Sequence, residues 1–329
     1  MAVPTGTFQT YQAIGNREDL SDIIYDISPT DTPFMSNIGR TTASAVFHEW
    51  QTDSLAAASN ANAQIEGDDA TTNTAIPTVR FGNRTQIMTK VPRVTSTQRA
   101  VNAAGRADEL SYQIAKSGRE LKRDIEARAT SALAADAGGA GTAREMAGLA
   151  TWLFGNQVIA TTNGTAPTTG TAPTVSSGAP TTDVASGTAG TFLESDLKTC
   201  ISRCWDDGGD PTLIMVGAFN KRQASAFAGI GTQFRDVQPS ATAPGTIVGA
   251  ADLYVSDFGT HQIVANRFQP SNVAYVLDLE YWALAYLEPI TQEPLAKTGL
   301  SDRVLLRTEL TLEAQSPDSS GMIRTLTTS

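Results

Sequence analysis

The chain has little with which to do chemistry. Its 329 residues include two cysteines and two histidines, so a zinc site with four such ligands would have to gather the whole supply. Cys200 and Cys204 stand four apart in a stretch that reads as a helix over 193–205. That spacing puts both on one face and makes them packing residues. His48 and His261 come from distant segments, and His48 reads as an ordinary strand-face residue. No Gly-x-Ser-x-Gly elbow is present. Gly229-Ile-Gly231 lacks the third glycine of a dinucleotide loop, and Ala296-Lys297-Thr298-Gly299 lacks the upstream glycines of a phosphate loop and reads as a turn between strands. The expectation is a chain that is not an enzyme and takes no cofactor and no metal.

Charge and long apolar runs are scarce too. Charged residues make up 18% and aromatic residues 7%. No segment reaches the ~18–20 consecutive apolar residues of a membrane span, and Met1 to Gln12 has neither a basic start nor an apolar run. This reads as a chain made and kept in a cytoplasm, with no membrane. There is no run of lysine or arginine, the formal net charge is −10 and the sequence pI is about 4.7. Tight binding to a phosphate backbone through counterion release is therefore excluded, although an acidic body could still enclose DNA without reading its sequence. Hydrophobic residues at 40% suffice for a real core. Abundant Thr, Ala and Gly point to a β-rich structural protein that packs through small side chains and backbone pairing.

What is there is an unusual order of elements. Val46, His48 and Trp50 alternate with Phe47, Glu49 and Gln51. A returning strand then sets Val79, Phe81, Thr85, Ile87 and Val91 against Arg80, Arg84, Gln86 and Lys90. Both read as strands of one ribbon. Residues 53–77 between them are mostly Ala, Asn, Thr, Gly and acid, and cannot bury enough apolar surface to fold alone. The acidic Glu66-Gly67-Asp68-Asp69 reads as part of that tip rather than as a cation site. Such a tip needs a neighbour to lean on.

A proline-free helix follows over 107–135, with Gly138 and Gly139 free to cap it. At 1.5 Å per residue it would be ~43 Å long and would cross nearly the whole body. Leu110, Ile114, Leu121, Ile125 and Leu133 form a narrow apolar stripe, with Gly118 and Ala129 on the same face. Lys122–Glu126 and Asp124–Arg128 are spaced as i,i+4 pairs. Arg119, Lys122 and Arg123 belong either to a solvated face or to contacts with neighbouring copies.

Residues 28–34 read as an extended arm because each proline biases its predecessor, after a short helix near 20–25. Residues 160–191 are a threonine-rich, low-complexity surface insertion. A folded α/β stretch then runs from the 193–205 helix through a turn at 206–211 to a buried strand at 213–216 and a helix near 221–227. The end of the chain is sheet, and its 303–313 strand is apolar on one side and charged on the other, so that it can cover the long helix.

Several strings carry a resemblance: Ile14-Gly-Asn-Arg-Glu-Asp-Leu-Ser-Asp-Ile-Ile-Tyr25, Ser28-Pro-Thr-Asp-Thr-Pro-Phe34, His48-Glu-Trp-Gln-Thr-Asp-Ser54, Gly105-Arg-Ala-Asp-Glu109, Leu121-Lys-Arg-Asp-Ile-Glu126, Pro294-Leu-Ala-Lys-Thr-Gly299 and Glu309-Leu-Thr-Leu-Glu313. In combination they resemble the tailed-phage major capsid proteins of the podovirus type, with the Hong Kong 97-like fold. The resemblance implies an α+β chain with an N-terminal arm (1–45), an extended β-hairpin loop (46–95), a peripheral domain with a long spine helix (96–159 and 300–329), the insertion (160–191) and an α/β axial domain (192–299).

It also implies self-assembly through pentamers and hexamers into an icosahedral virion shell, built in the host cytoplasm around double-stranded DNA. An encapsulin-like nanocompartment shell is the alternative. Scaffolding, portal and decoration proteins would be partners. The scaffold would be a separate chain, because no long charged helical segment precedes the arm. No asparagine is evidently paired with Lys90 for an isopeptide bond, so a non-covalent shell is expected. Candidate contacts between copies are Trp50, Phe81 and Ile87 as loop anchors, Arg80, Arg84 and Lys90 as partners of acids, Glu66, Asp68 and Asp69 at the tip, and Arg119, Lys122 and Arg123 on the helix. Leu110, Ile114, Leu121 and Ile125 would seat that helix in its own core.

Overall fold

The computed structural model describes residues 28–53, 55–67, 77–101, 107–160, 168–169, 175–176, 178–184, 187–227 and 252–329. The expected helix near 20–25, Asp68 and Asp69 of the tip, and Gly229-Ile-Gly231 lie outside them. In chain order the helices are α1 (Pro33–Asn37), α2 (Ser96–Ala100), α3 (Glu109–Ala129), α4 (Leu149–Trp152), α5 (Glu194–Asp206) and α6 (Ala218–Ser225). The strands before the insertion are β1 (Gly39–Thr42), β2 (Phe47–Thr52), β3 (Val79–Arg84), β4 (Gln86–Lys90), β5 (Arg93–Thr95) and β6 (Gln157–Ile159). They continue as β7 (Thr168–Thr169), β8 (Val175–Ser176), β9 (Ala179–Pro180), β10 (Leu213–Val216), β11 (Leu253–Ser256), β12 (Gly259–Ala265), β13 (Ala274–Leu277), β14 (Trp282–Leu295), β15 (Ser301–Ala314) and β16 (Gly321–Arg324).

Two sheets organise the body. One runs β1-β14-β15-β4, with β5 also on β15, so strands from both ends of the sequence share it. The other runs β11-β12-β10-β13-β16-β6-β7. The larger core joins Phe34, Leu121, Ile125, Trp152, Trp282, Leu310 and Leu312. The second lies under α5, where Cys200 and Cys204 are buried as free thiols. A Cβ on Gly321 would stand 2.6 Å from the Cys200 sulfur, so β16 passes α5 too closely for any side chain there.

The long helix is shorter than its composition suggests. Asp108 starts it by accepting from the backbone N–H groups of Leu110 and Ser111. It ends at Ala129 rather than 135, giving a length of ~31 Å at 1.5 Å per residue. Thr130 turns back on Glu126 O with its N–H (3.0 Å) and its hydroxyl (2.8 Å). Beyond it, Ala132 O accepts from Val184 N–H, Ala135 N–H donates to Pro180 O, and Asp136 bridges to Glu145. Tertiary partners thus take the backbone groups that a continued helix would need, and Leu133 leaves the apolar stripe with 47% exposure.

Two further expectations change. Residues 28–34 are not all extended: Pro33 begins α1, where its missing N–H is harmless, and Phe34 is fully buried. The returning ribbon strand is also not continuous. It breaks at Thr85 into β3, which pairs with β2, and β4, which pairs with β15.

Candidate assembly surface

The ribbon β2–β3 stands on the body by its base. Its register sets Trp50 opposite Phe81 and Glu49 opposite Gly82. The Trp50 ring lies 5.4 Å from the Trp152 ring of the main core, and Phe81 meets the same ring edge-on at 6.0 Å. Asn83, fully buried, donates to Leu312 O (2.8 Å) and Ala147 O (3.2 Å) and accepts from Ala147 N–H (2.9 Å). At the break, Thr85 donates to Glu309 (2.6 Å), while Arg144 donates to Thr85 O (2.6 Å) and also pairs with Glu309. His48 sits 3.2 Å from Glu313, which also accepts from Thr41.

The tip has no comparable support among the described residues: Leu55 is 99% exposed and Ile65 77%. Glu66 is exposed beside them.

The sequence candidates therefore divide. Trp50 and Phe81 lie on the chain's own Trp152, so they fix the ribbon's base to its own body. Arg80 pairs with Glu49 (3.1 Å), Lys90 with Asp124 (2.7 Å), and Arg84 lies over the Phe47 ring at 5.2 Å. All three cations thus have partners within the chain. Ile87, on β4 opposite Glu309, remains 54% exposed.

On α3, Arg119 and Lys122 are exposed, and Arg123 lies over the Phe268 ring at 5.3 Å. Leu121 and Ile125 are fully buried, Ile114 packs half-buried against the same core, and Leu110 is half-buried.

The two expected helix pairs give way to longer-range contacts. Asp124 holds Lys90, and Arg128 reaches Glu145 (2.9 Å) and Met146 O. Glu126 is fully buried and accepts from Phe34 N–H (2.9 Å), Met35 N–H (2.8 Å) and Asn266 Nδ2 (2.7 Å). Burial pushes its carboxyl above the usual range, against the pull of those three donors. Its contacts bind the arm, the helix and the loop after β12 together, and nothing in the helical spacing signals this.

A second open feature is a groove of about 340 Å3 between α5 and the β11–β12 turn, lined by Lys198, Ser202, Arg203, Ser256, Asp257 and Phe258 among others. The Trp205 ring lies 5.2 Å from the Phe258 ring, tilted by 36°. Ser256 lies 2.7 Å from His261 Nε2, but its hydroxyl oxygen also accepts from Phe258 N–H and its hydroxyl reaches Gly259 O. The pair therefore ties the hairpin turn together. Among the described residues no group of His, Cys, Asp and Glu is placed to hold a metal ion, and no helix is long and apolar enough to cross a membrane.

The family model for the SU10 major capsid protein matches residues 3–327. The major capsid protein of Escherichia phage Phieco32 is 29% identical, over 99% of this chain and 98% of that one. Among solved structures, the capsid of a native GTA particle superposes with a TM-score of 0.61 at 10% identity, covering 97% of this chain and 98% of that one. The SrpI encapsulin of Synechococcus elongatus gives 0.55 at 11% identity, over 96% and 94%.

Proposed function

The chain belongs to the SU10 major capsid protein family, and on that premise we propose that its copies close through pentamers and hexamers into an icosahedral shell around a double-stranded DNA genome. As a tailed-phage major capsid protein with the Hong Kong 97-like fold, it is a structural component of the virion. Residues 1–45 act as the arm, 46–95 as the extended loop, 96–159 with 300–329 as the peripheral domain, 160–191 as the insertion and 192–299 as the axial domain.

The observation that carries the reading is the contrast along one ribbon. Its base is held by rings and buried hydrogen bonds, while Leu55 and Ile65 at the tip are bare. Large apolar side chains presented on a supported arm gain most from burial against a neighbouring copy. Ile87, Glu66, Asp68, Asp69, Arg119, Lys122 and Arg123 are the further contact candidates. Arg80, Arg84 and Lys90 would have to exchange or share their partners within the chain to serve.

The shell is non-covalent, is built in the host cytoplasm with scaffolding, portal and decoration proteins as partners, and meets DNA without reading its sequence. An encapsulin-like compartment is favoured only by the likeness of fold to SrpI, whereas the family and the curated relative favour the phage shell. Electron microscopy of particles from the expressed chain, with their contents identified, tests this. Closed shells that take up DNA with a portal support it, and particles that load an enzyme cargo oppose it. A covalent ladder on a denaturing gel would contradict the non-covalent part.

A further inference from the structure

The threonine-rich stretch reads as a passive surface insertion, yet its last part is built into the body. Gly82 N–H, on the edge of β3 that β2 leaves open, donates to Gly178 O at 2.8 Å. Gly178 has φ +80, and a Cβ there would stand 3.1 Å from Gly82 N and 3.2 Å from Arg80 O. The contact is therefore backbone against backbone and admits no other residue easily. Ala179 and Pro180 are buried.

The same seven residues then cross to the segment after α3. Ala135 N–H donates to Pro180 O (3.0 Å), Val184 N–H to Ala132 O (3.0 Å), and Ala134 N–H to the Asp183 carboxylate (2.7 Å). One side of this strap grips the ribbon and the other grips the turn that ends the long helix.

We propose that residues 178–184 are a positioning strap that closes the open edge at the ribbon's base and fixes the angle at which the ribbon leaves the body. The aromatic contacts of Trp50 and Phe81 bear on the ribbon's face, and Asn83 holds its end. An edge bond supplies the missing third direction. Because Ile65 at the tip lies 16 residues beyond Glu49, which faces Gly82, a change in that angle is carried outward to the tip. The strap thereby sets where the ribbon meets the adjacent copy, a consequence that rests on the ribbon being the assembly element proposed above.

The test compares wild type with Gly178→Val, which combines positive φ with a clash on β3, and with Asp183→Ala, which removes the Ala134 hydrogen bond and a negative charge near Arg128 but leaves the Gly178–Gly82 contact in place. Amide hydrogen exchange is read on the unassembled chain, and particle diameter by electron microscopy. In Gly178→Val, Gly82 should exchange about tenfold faster while amides 121–126 of α3 keep their protection. Closed shells should become fewer or spread in diameter. Asp183→Ala should speed Ala134 and, more weakly, Gly82.

Unchanged exchange at Gly82 in both variants would overturn the strap, and so would a loosened ribbon that still builds shells of normal size. A wild-type chain that never closes into shells counts against the shell reading, and the exchange comparison then still decides the strap.

Discussion

Replacing Glu126 with leucine should loosen the arm, the long helix and the loop after β12 together. The side chain is fully buried, and its two oxygens accept from two backbone N–H groups and one amide at 2.7–2.9 Å. Leucine removes a buried charge, which is favourable, but leaves the Phe34 and Met35 N–H groups without an acceptor and Asn266 Nδ2 with only the weak Met215 sulfur, at about 1–3 kcal/mol for each lost bond. The net loss should be about 3–5 kcal/mol. Glutamine keeps one acceptor oxygen but turns an NH2 group toward a donor, and should cost about 1–2 kcal/mol.

The pH dependence has a definite sign. Burial raises the folded carboxyl above its ordinary value, so the folded state binds the proton more readily than the unfolded one. The contribution of this group to stability is fully present below the ordinary carboxylate pKa and is lost as pH rises through the raised folded value. Glu126→Gln should flatten that slope. Urea unfolding of the unassembled chain across this range, with exchange at Phe34 and Met35 as the local probe, measures both. A leucine variant within about 0.5 kcal/mol of wild type would refute the reasoning.

Other outcomes follow from the ribbon. Trp50→Ala and Phe81→Ala should each destabilise the ribbon's base by about 1–3 kcal/mol and impair shell assembly while circular dichroism keeps its secondary-structure signal; normal shells would refute the assignment. Leu55→Asp with Ile65→Asp should leave unfolding of the single chain within about 0.5 kcal/mol, since both side chains are exposed, yet cut particle yield sharply. Arg144→Ala should cost about 1–3 kcal/mol in denaturant unfolding and speed exchange at residues 83–86, because Thr85 O and Glu309 both lose their cation.

Periodicity located the elements well where the local pattern and the tertiary role agree. Leu213–Val216 is a strand with the expected ends, α5 lies one residue from its expected place, and the strand over 303–313 is the centre of β15. It failed where distant partners decide. The helix over 107–135 carries only the Thr130 hydroxyl as an internal stop, and the partners that take its following backbone groups come from 145–150 and 180–184. The alternation over 79–91 is interrupted only by Asn83 and Met88, and Glu309 and Arg144 hold its break at Thr85, past which Met88 is buried and Ile87 exposed.

The candidate surface divides for the same reason. Alternation shows that Trp50 and Phe81 share one face and Arg80 lies on the other, but not that Trp152 and Glu49 already meet them. Charges at helical spacing suggested local pairs, whereas Glu126 answers to Phe34, Met35 and Asn266, which lie far from it in sequence. The bare apolar side chains of the tip were present in the sequence, but their polar surroundings hid them in a stretch read as coreless.

A reconstruction of assembled particles, fine enough to trace residues 47–84, tests the central claim most directly. The account predicts closed shells in which Leu55 and Ile65 of each copy are buried against an adjacent copy. Ribbon tips left in solvent, or folded onto their own body with each copy self-contained, would contradict it.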